Sequence, residues 1–409
     1  MARSLDESKT TVLVGFAEAL SAPEVLWSLV DAGFRVVAFG RRGRPSALRQ
    51  SHHVIVHEIS APESDVAAAI SELQSLMASL DAEGRGGKKI LFPLDDTGVW
   101  LCSRVQLAAD WLLAGPHGAG AELALNKDVQ IQKAREAGFN VPKVLAAKTA
   151  KEVIDFCGAT LFPVILKPAE CVPVRENRVQ GCPKWICADR GELESAVAEW
   201  AERVPLLVQP FVGGTGEGVF GLAASDGIRA WSAHRRLRMM NPQGSGSSAC
   251  VSQSVPEDVR ANVEALIKTT GWCGLFMVEL LRDHSGKPWF VELNGRPWGS
   301  MSLCRRQGLE YPAWQVQLAL NPQSPAGRSA STAPGLVCRN VGREFLHLLF
   351  VLRGPKSQAL NGWPSFGKTL TDVLRVRRQD TWYNWRREDP KVFFADCYNT
   401  VKSNVFKSK

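Results

Sequence analysis

The sequence predicts an α/β fold that gives way to an α+β fold along the chain, with a basic extension at the end. Three observations predict this. Short apolar strands alternate with helical periods over residues 11–93, the order of a parallel sheet. Further on, Asp226-Gly227 and the turn 283–286 each separate two apolar runs, the order of antiparallel hairpins. The whole positive excess of the chain lies near its C-terminal end, which marks off a last segment.

The elements follow in order. Residues 11–16 are a short apolar strand. Residues 22–32 have helical spacing through Val25, Leu26, Leu29 and Val30, and Gly33 closes the helix. Strands are read at 34–40, 54–59 and 89–93, with a helix at 64–80. Asp95 and Asp96 follow the last of these, at the strand end where open α/β sheets place their ligands. Residues 128–138 read as a helix closed by Gly138, 161–167 as a strand ending at Lys167-Pro168, 192–203 as an amphipathic helix and 206–212 as a strand. Glycines 213, 214, 216 and 218 come next. Strands at 219–224 and 228–233 flank Asp226-Gly227, a helix covers 256–270, and strands 275–282 and 288–293 form the second hairpin. Residues 322–335, rich in Pro, Ser, Ala, Gly and Thr, read as a linker. There is no internal repeat.

Composition excludes several classes. The 409 residues are 45% hydrophobic and 22% charged, as in a globular protein and unlike a disordered chain or a fibre. The apolar stretch 99–114 is broken by Ser103, Arg104, Gln106 and Asp110, and no other run is long enough to span a bilayer. The N-terminus has no apolar block of signal-peptide length, so a cytoplasmic protein without membrane contact is expected. Ten cysteines include no C-x-x-C pair, and reduced thiols are expected. Residues 331–409 carry 14 Lys+Arg against 6 Asp+Glu, which accounts for the net charge of +8 and would attract anions. The segment Gly15 to Leu20 lacks the G-x-G-x-x-G fingerprint, and no G-x-x-x-x-G-K-[ST] occurs, so a P-loop nucleotidase is excluded.

The second hairpin carries the strongest chemical signal. Glu292 and Asn294 share a face by period-two alternation, and the short turn 283–286 lets Glu279 come opposite them. Three oxygen donors on one sheet face suit Mg²⁺. Arg296, two residues on, would present a planar fork to phosphate or carboxylate. On the strand before, His234, Arg236 and Arg238 alternate onto one face, and the Gly244–Ser248 loop after it offers backbone N–H groups to an anion.

These residues resemble the ATP-grasp superfamily, in its carboxylate–amine ligase and biotin-carboxylase-like (carbamoyl-phosphate-synthase-like) branch, over about residues 10–320. The resemblance implies a Rossmann-like pre-ATP-grasp domain at 1–122 and an ATP-grasp domain at 123–325. The latter comprises a subdomain with a lid (about 123–205) and a catalytic subdomain (about 206–325), followed by the basic segment 326–409. It implies that Lys127 and Lys167 contact ATP phosphates, and that Gln209, Phe211 and Val212 form the adenine hinge. Glu217 would bind the ribose hydroxyls. Glu279, Glu292 and Asn294 would hold Mg²⁺, for which Mn²⁺ could substitute, and Arg236, Arg238 and Arg296 would neutralise the transferring charge. One departure is plain: after Lys167-Pro168 the expected glycine-rich lid is replaced by residues 169–181, which have Pro173 and no glycine before Gly181.

The function so implied is a ligase that activates a small carboxylic acid as an acyl phosphate and couples it to an amine, releasing ADP and phosphate. No protein nucleophile is required, in keeping with the absence of a Ser–His–Asp or Cys–His pattern. Two rivals stand beside it. One is a carboxylase-like use of bicarbonate. The other is a non-catalytic ATP-binding scaffold whose basic tail, with Trp382, Tyr383 and Trp385 among its arginines, binds nucleic acid. The same mixture suits an ordinary packed C-terminal segment, or one that completes the mouth of the active site.

Overall fold

The computed structural model describes residues 10–84, 86–158, 162–244, 246–328, 332–355, 357 and 362–405. Position 161 of an expected strand, Ser245 of the anion loop, and parts of the linker and basic segment lie outside the described residues.

Five parallel strands form the first sheet: β1 (Thr11–Gly15), β2 (Arg35–Arg41), β3 (Ile55–Ile59), β4 (Lys89–Pro93) and β5 (Trp111–Leu113), in the order β3-β2-β1-β4-β5. Strands β1 and β4 are buried along their whole length and apolar in their middles because helices cover both faces. The carboxylates after β4 serve the structure. Asp95 caps the helix Asp96–Cys102 by accepting from the Gly98 N–H at 2.6 Å.

The second sheet contains β6 (Leu145–Ala147), β7 (Val164–Pro168), β10 (Trp185–Cys187) and β11 (Leu206–Pro210), in the order β10-β7-β11-β6. Between β7 and β10 lies a two-stranded hairpin, β8 (Val174–Arg175) and β9 (Arg178–Val179).

The third sheet has seven strands. They are β12 (Thr215–Ala224), β13 (Gly227–Met239), β14 (Ser247–Gln253), β15 (Gly274–Arg282), β16 (Pro288–Asn294), β17 (Val337–Arg339) and β18 (Asp380–Trp382), in the order β16-β15-β12-β13-β14-β17-β18. Both expected hairpins are present, with longer strands than the apolar runs alone indicated. β12 takes in Gly216 and Gly218, because side chains of neighbouring strands fill the space above them.

The stretch read as a linker is packed on this sheet. Ser252 Oγ donates to the Ala333 carbonyl at 2.9 Å, and Arg229 Nη2 to the Pro322 carbonyl at 3.1 Å. The chain beyond 325 then adds two strands to this sheet: β17 pairs antiparallel with β14, and β18 parallel with β17. Part of the basic segment's charge is neutralised internally, as Arg339 pairs with Asp380 at 3.0 Å and Arg386 with Asp31 at 2.9 Å.

One apolar core joins the first sheet, the third sheet and the C-terminal segment, and the second sheet has a core of its own. Val14, Leu26 and Phe92 from the first sheet and its helix meet Phe220, Leu222 and Met277 from the third, together with Trp298, Tyr311 and Val392. All ten cysteines are free thiols. Among the described residues no helix is long and apolar enough to cross a membrane.

Candidate active site

The antiparallel register of β15 and β16 places Glu279 directly across from Glu292, and Met277 across from Asn294. The two acids and the amide therefore share one face of the sheet. Asn294 Nδ2 donates to Glu292 Oε1 at 3.1 Å, which leaves the Asn294 carbonyl oxygen among the oxygen donors of that face. From β13, Arg236 reaches Glu279 with an Nη2–Oε1 distance of 2.8 Å. Glycines on β12 make this possible. A Cβ on Gly216 would lie 2.6 Å from Arg236 Cδ, and one on Gly218 would lie 3.1 Å from His234 Nε2.

Lysines surround the carboxylates. Lys127 opens the helix Lys127–Glu136, whose first turn is capped by the Asn126 side chain accepting from the Asp128 and Val129 N–H groups. Lys167 lies on β7, and both lysines are buried. Burial lowers Lys167 to about 8; like charge from Lys127 and Lys184 adds to this, against the pull of Glu292 and Glu279. Burial would raise Glu292, but Lys127, Lys184, the Asn294 amide and Arg296 together outweigh it and hold the carboxyl well below the usual range. Sequence reasoning missed Lys184. It sits in a polar loop before β10, outside any periodic element or motif.

Arg296 lies on the same side and makes a fork to Asp96, with contacts of 3.0 and 3.2 Å. The pair ties the third sheet to the end of β4. Next to it is a cavity of about 280 Å³. Arg236, Glu279, Glu292, Asn294 and Arg296 line one part of it, and the loop Ala19, Leu20 and Ser21 after β1 closes another. His234 also lines it, fully enclosed against the edge of the Phe220 ring, 4.8 Å between centroids. Burial, with Arg236 nearby, lowers its pKa to about 3, so it is a neutral imidazole and not a base poised near neutrality.

Three expected site residues stand elsewhere or are otherwise engaged. Glu217 falls between Gly216 and Gly218, so alternation turns it to the opposite face of the sheet, where Arg282 grips both its oxygens at 2.9–3.1 Å. Its carboxylate is engaged by Arg282 and is not on the face that carries Glu279 and Glu292. Arg238 is also diverted. Register shifts after Arg236 break the alternation, and Arg238 forms a fork with the buried Glu344 at 2.9 and 2.7 Å. At the hinge, Gln209 is on β11. The Phe211 N–H is taken by the Pro163 carbonyl at 2.8 Å, whereas among the described residues the Val212 N–H has no partner. Of the hinge N–H groups, that of Val212 is the one free to read a base edge.

The glycine-poor lid is a β8–β9 hairpin fastened to the first domain. Its turn residues Glu176 and Asn177 have φ of 49° and 59°, the left-handed pair of a tight hairpin. Asn177 Oδ1 accepts from the Ala67 N–H at 2.9 Å and its Nδ2 donates to Asp65 at 2.8 Å, at the start of the helix Val66–Ala82. Asn177→Ala removes both bonds and puts Ala in a left-handed site. We expect about 1–3 kcal/mol of local destabilisation. Amide hydrogen exchange should show protection at residues 174–179 falling by tenfold or more, with a smaller change in the rest of the chain.

No protein-family model matches the chain, and no curated protein matches its sequence. Solved structures do match. L-amino acid ligase from Bacillus licheniformis superposes with a TM-score of 0.60 at 16% identity, covering 80% of this chain and 78% of that one. N5-carboxyaminoimidazole ribonucleotide synthetase in its ADP complex gives 0.59 at 14% identity, covering 85% and 86%. The biotin carboxylase domain of 2-oxoglutarate carboxylase from Hydrogenobacter thermophilus, with MgADP and bicarbonate, gives 0.56 at 17% identity, covering 79% and 72%. A parallel first sheet, a small antiparallel sheet and a large, mostly antiparallel sheet bearing the facing acids therefore give this chain the fold shared by these solved structures.

Proposed function

We propose that this protein is a Mg·ATP-dependent ligase that activates a small carboxylic acid as an acyl phosphate and couples it to an amine, releasing ADP and phosphate. The observation that carries this is Glu279 facing Glu292, with Asn294 beside them, at the edge of a small cationic cavity. Glu279, Glu292 and Asn294 supply the oxygen donors a hard divalent cation takes, and two facing half-buried carboxylates, of which Arg236 pairs only with Glu279, are further stabilised by a cation between them. Bound there, Mg²⁺ supplies charge screening of the phosphate oxygens.

The chain's own groups do the rest. Lys127 and Lys167 are point charges for phosphate, and Lys167, lowered to about 8 by burial, gains its full charge once an anion is beside it. Arg236 and Arg296 are held in place by Glu279 and Asp96, so their forks are oriented before the reacting carboxylate arrives. The Leu20 loop and Tyr383 wall the cavity and restrict water, which would hydrolyse an acyl phosphate. The size of the cavity suits a small acid rather than a polymer.

The test is the melting temperature with and without a non-hydrolysable Mg·ATP analogue, followed by ADP release over a panel of acids, bicarbonate included, with and without amines. A ligand that binds only the folded state raises the melting temperature, and saturation at a hundredfold over Kd corresponds to about 2.7 kcal/mol. No rise at millimolar nucleotide overturns the reading. ADP release with bicarbonate alone among the acids would replace it by the carboxylase-like one.

A further inference from the structure

Most charges lining the cavity are matched in ion pairs, and among the described residues two, Glu292 and Arg343, are not. Arg236 pairs with Glu279 at 2.8 Å and Arg296 with Asp96 at 3.0 Å. Asp95 pairs with Arg41 at 3.1 Å. Glu292 takes the Asn294 amide and lies in the field of Lys127 and Lys184. Arg343 has no such partner: among the described residues it forms no ion pair, and its Nη1 donates only to the Ser247 carbonyl at 3.2 Å. It comes from the basic C-terminal segment, in the first turn of the helix Val341–Arg353, where the Asn340 side chain accepts its backbone N–H at 2.9 Å. The guanidinium is packed into place, since a Cβ on Gly246 would lie 2.7 Å from its Nη1.

Other polar groups of the cavity are also unsatisfied. Ser300 Oγ is buried without a hydrogen-bond partner, and so are both ring nitrogens of His234, a residue 2% exposed. A guanidinium, a hydroxyl and an imidazole, all short of acceptors, enclose one space. Buried donors without acceptors are costly, and a half-buried guanidinium that has only the more distant Asp396 for an anion is under-compensated, so a carboxylate in that space satisfies them together.

We propose that Arg343, with Ser300 and His234, binds a carboxylate that is carried by one of the two substrates and is not consumed in the reaction. The substrate class is then either a dicarboxylic acid or an amino acid serving as the amine. This rests on the ligase reading above and adds to it the role of the C-terminal segment, which supplies the specificity group of the site.

The test uses the full chain loaded with the non-hydrolysable Mg·ATP analogue and has two arms, both read by calorimetry. In one, short straight-chain dicarboxylates are titrated beside monocarboxylates of the same length. In the other, alanine and similar amino acids are titrated beside the amines that lack their carboxylate. In one arm the compound with the extra carboxylate should bind about tenfold tighter or more. That advantage should vanish in Arg343→Gln and return in part in Arg343→Lys, while the nucleotide-induced rise in melting temperature stays as in wild type and shows the variants to be folded. The arm that responds identifies which substrate carries the group. No carboxylate advantage in either arm, or an advantage that survives Arg343→Gln, overturns the proposal and leaves the ligase reading standing. Failure of wild type to bind nucleotide overturns the ligase reading itself.

Discussion

Replacing Glu292 by Gln should abolish most of the melting-temperature rise produced by a Mg·ATP analogue and lower ADP release on the order of 10²–10³-fold. The substitution is isosteric, and the amide oxygen can still accept from Asn294 Nδ2, so the sheet should hold its register. What is lost is the charge. Glu292 lies among Lys127, Lys184 and Arg296 and directly across from Glu279, so it is ionised and shared between these cations and the proposed metal position. A Gln there leaves one carboxylate, Glu279, which is already pledged to Arg236. The contrasting variant is Glu217→Gln. It breaks the fork to Arg282 and should lower the melting temperature of the free protein, yet leave the nucleotide-induced rise intact, because Glu217 lies on the opposite face of the sheet. Equal loss of the nucleotide response in both variants would refute the placement of the metal ligands.

Glu344→Ala should destabilise the protein by about 3–5 kcal/mol, enough to unfold a marginal domain at ordinary temperature. Glu344 is 3% exposed and receives the Arg238 fork, both Nε and Nη2 of Arg339, and the Ser248 hydroxyl at 2.8 Å. Its removal leaves Arg238 of β13 without its acid and takes one of two acids from Arg339 of β17, which keeps Asp380, at the seam between the third sheet and the C-terminal segment. The same cluster sets a pH dependence. Burial would raise the Glu344 carboxyl, but the Arg238 fork, Ser248 and Arg339 outweigh it and hold it below its ordinary 4.5. A carboxyl depressed in the folded state contributes stability that is present above the unfolded value and is lost as pH falls through the folded one. Denaturant titrations should therefore show wild type losing stability below about pH 4.5, with a shallower loss in a Glu344→Gln variant. A variant whose melting temperature matches wild type would show that the seam rests on apolar packing alone.

Local chemistry was legible in the sequence wherever it depended on neighbours along the chain. The parallel order of the first strands, the two hairpins and the shared face of Glu292 and Asn294 follow from turn residues and from a side-chain period of two. The short turn after Arg282 was enough to bring Glu279 opposite Glu292. The same alternation failed at Arg238, because register shifts on β13 that no residue pattern announces reversed its direction. It would have placed Glu217 correctly, on the face away from Gly216 and Gly218, had those glycines been read as strand positions beneath other side chains rather than as a flexible run.

The sequence by itself determined the class of fold and the acidic pair with its amide, since each lies within a periodic element or a short motif; Lys127 and Lys167 were singled out only by the family resemblance, because a lone lysine carries no local pattern. Only the tertiary structure decided what closes the site. The stretch that composition marks as a linker is packed on the catalytic sheet, and the basic segment after it supplies two strands and the unpaired Arg343 to the cavity. The lid likewise gains its anchor from Asp65 and Ala67, 110 or more residues away in the chain. Contacts of that separation depend on where whole sheets dock, which is set by the apolar core they share and not by any local run of residues.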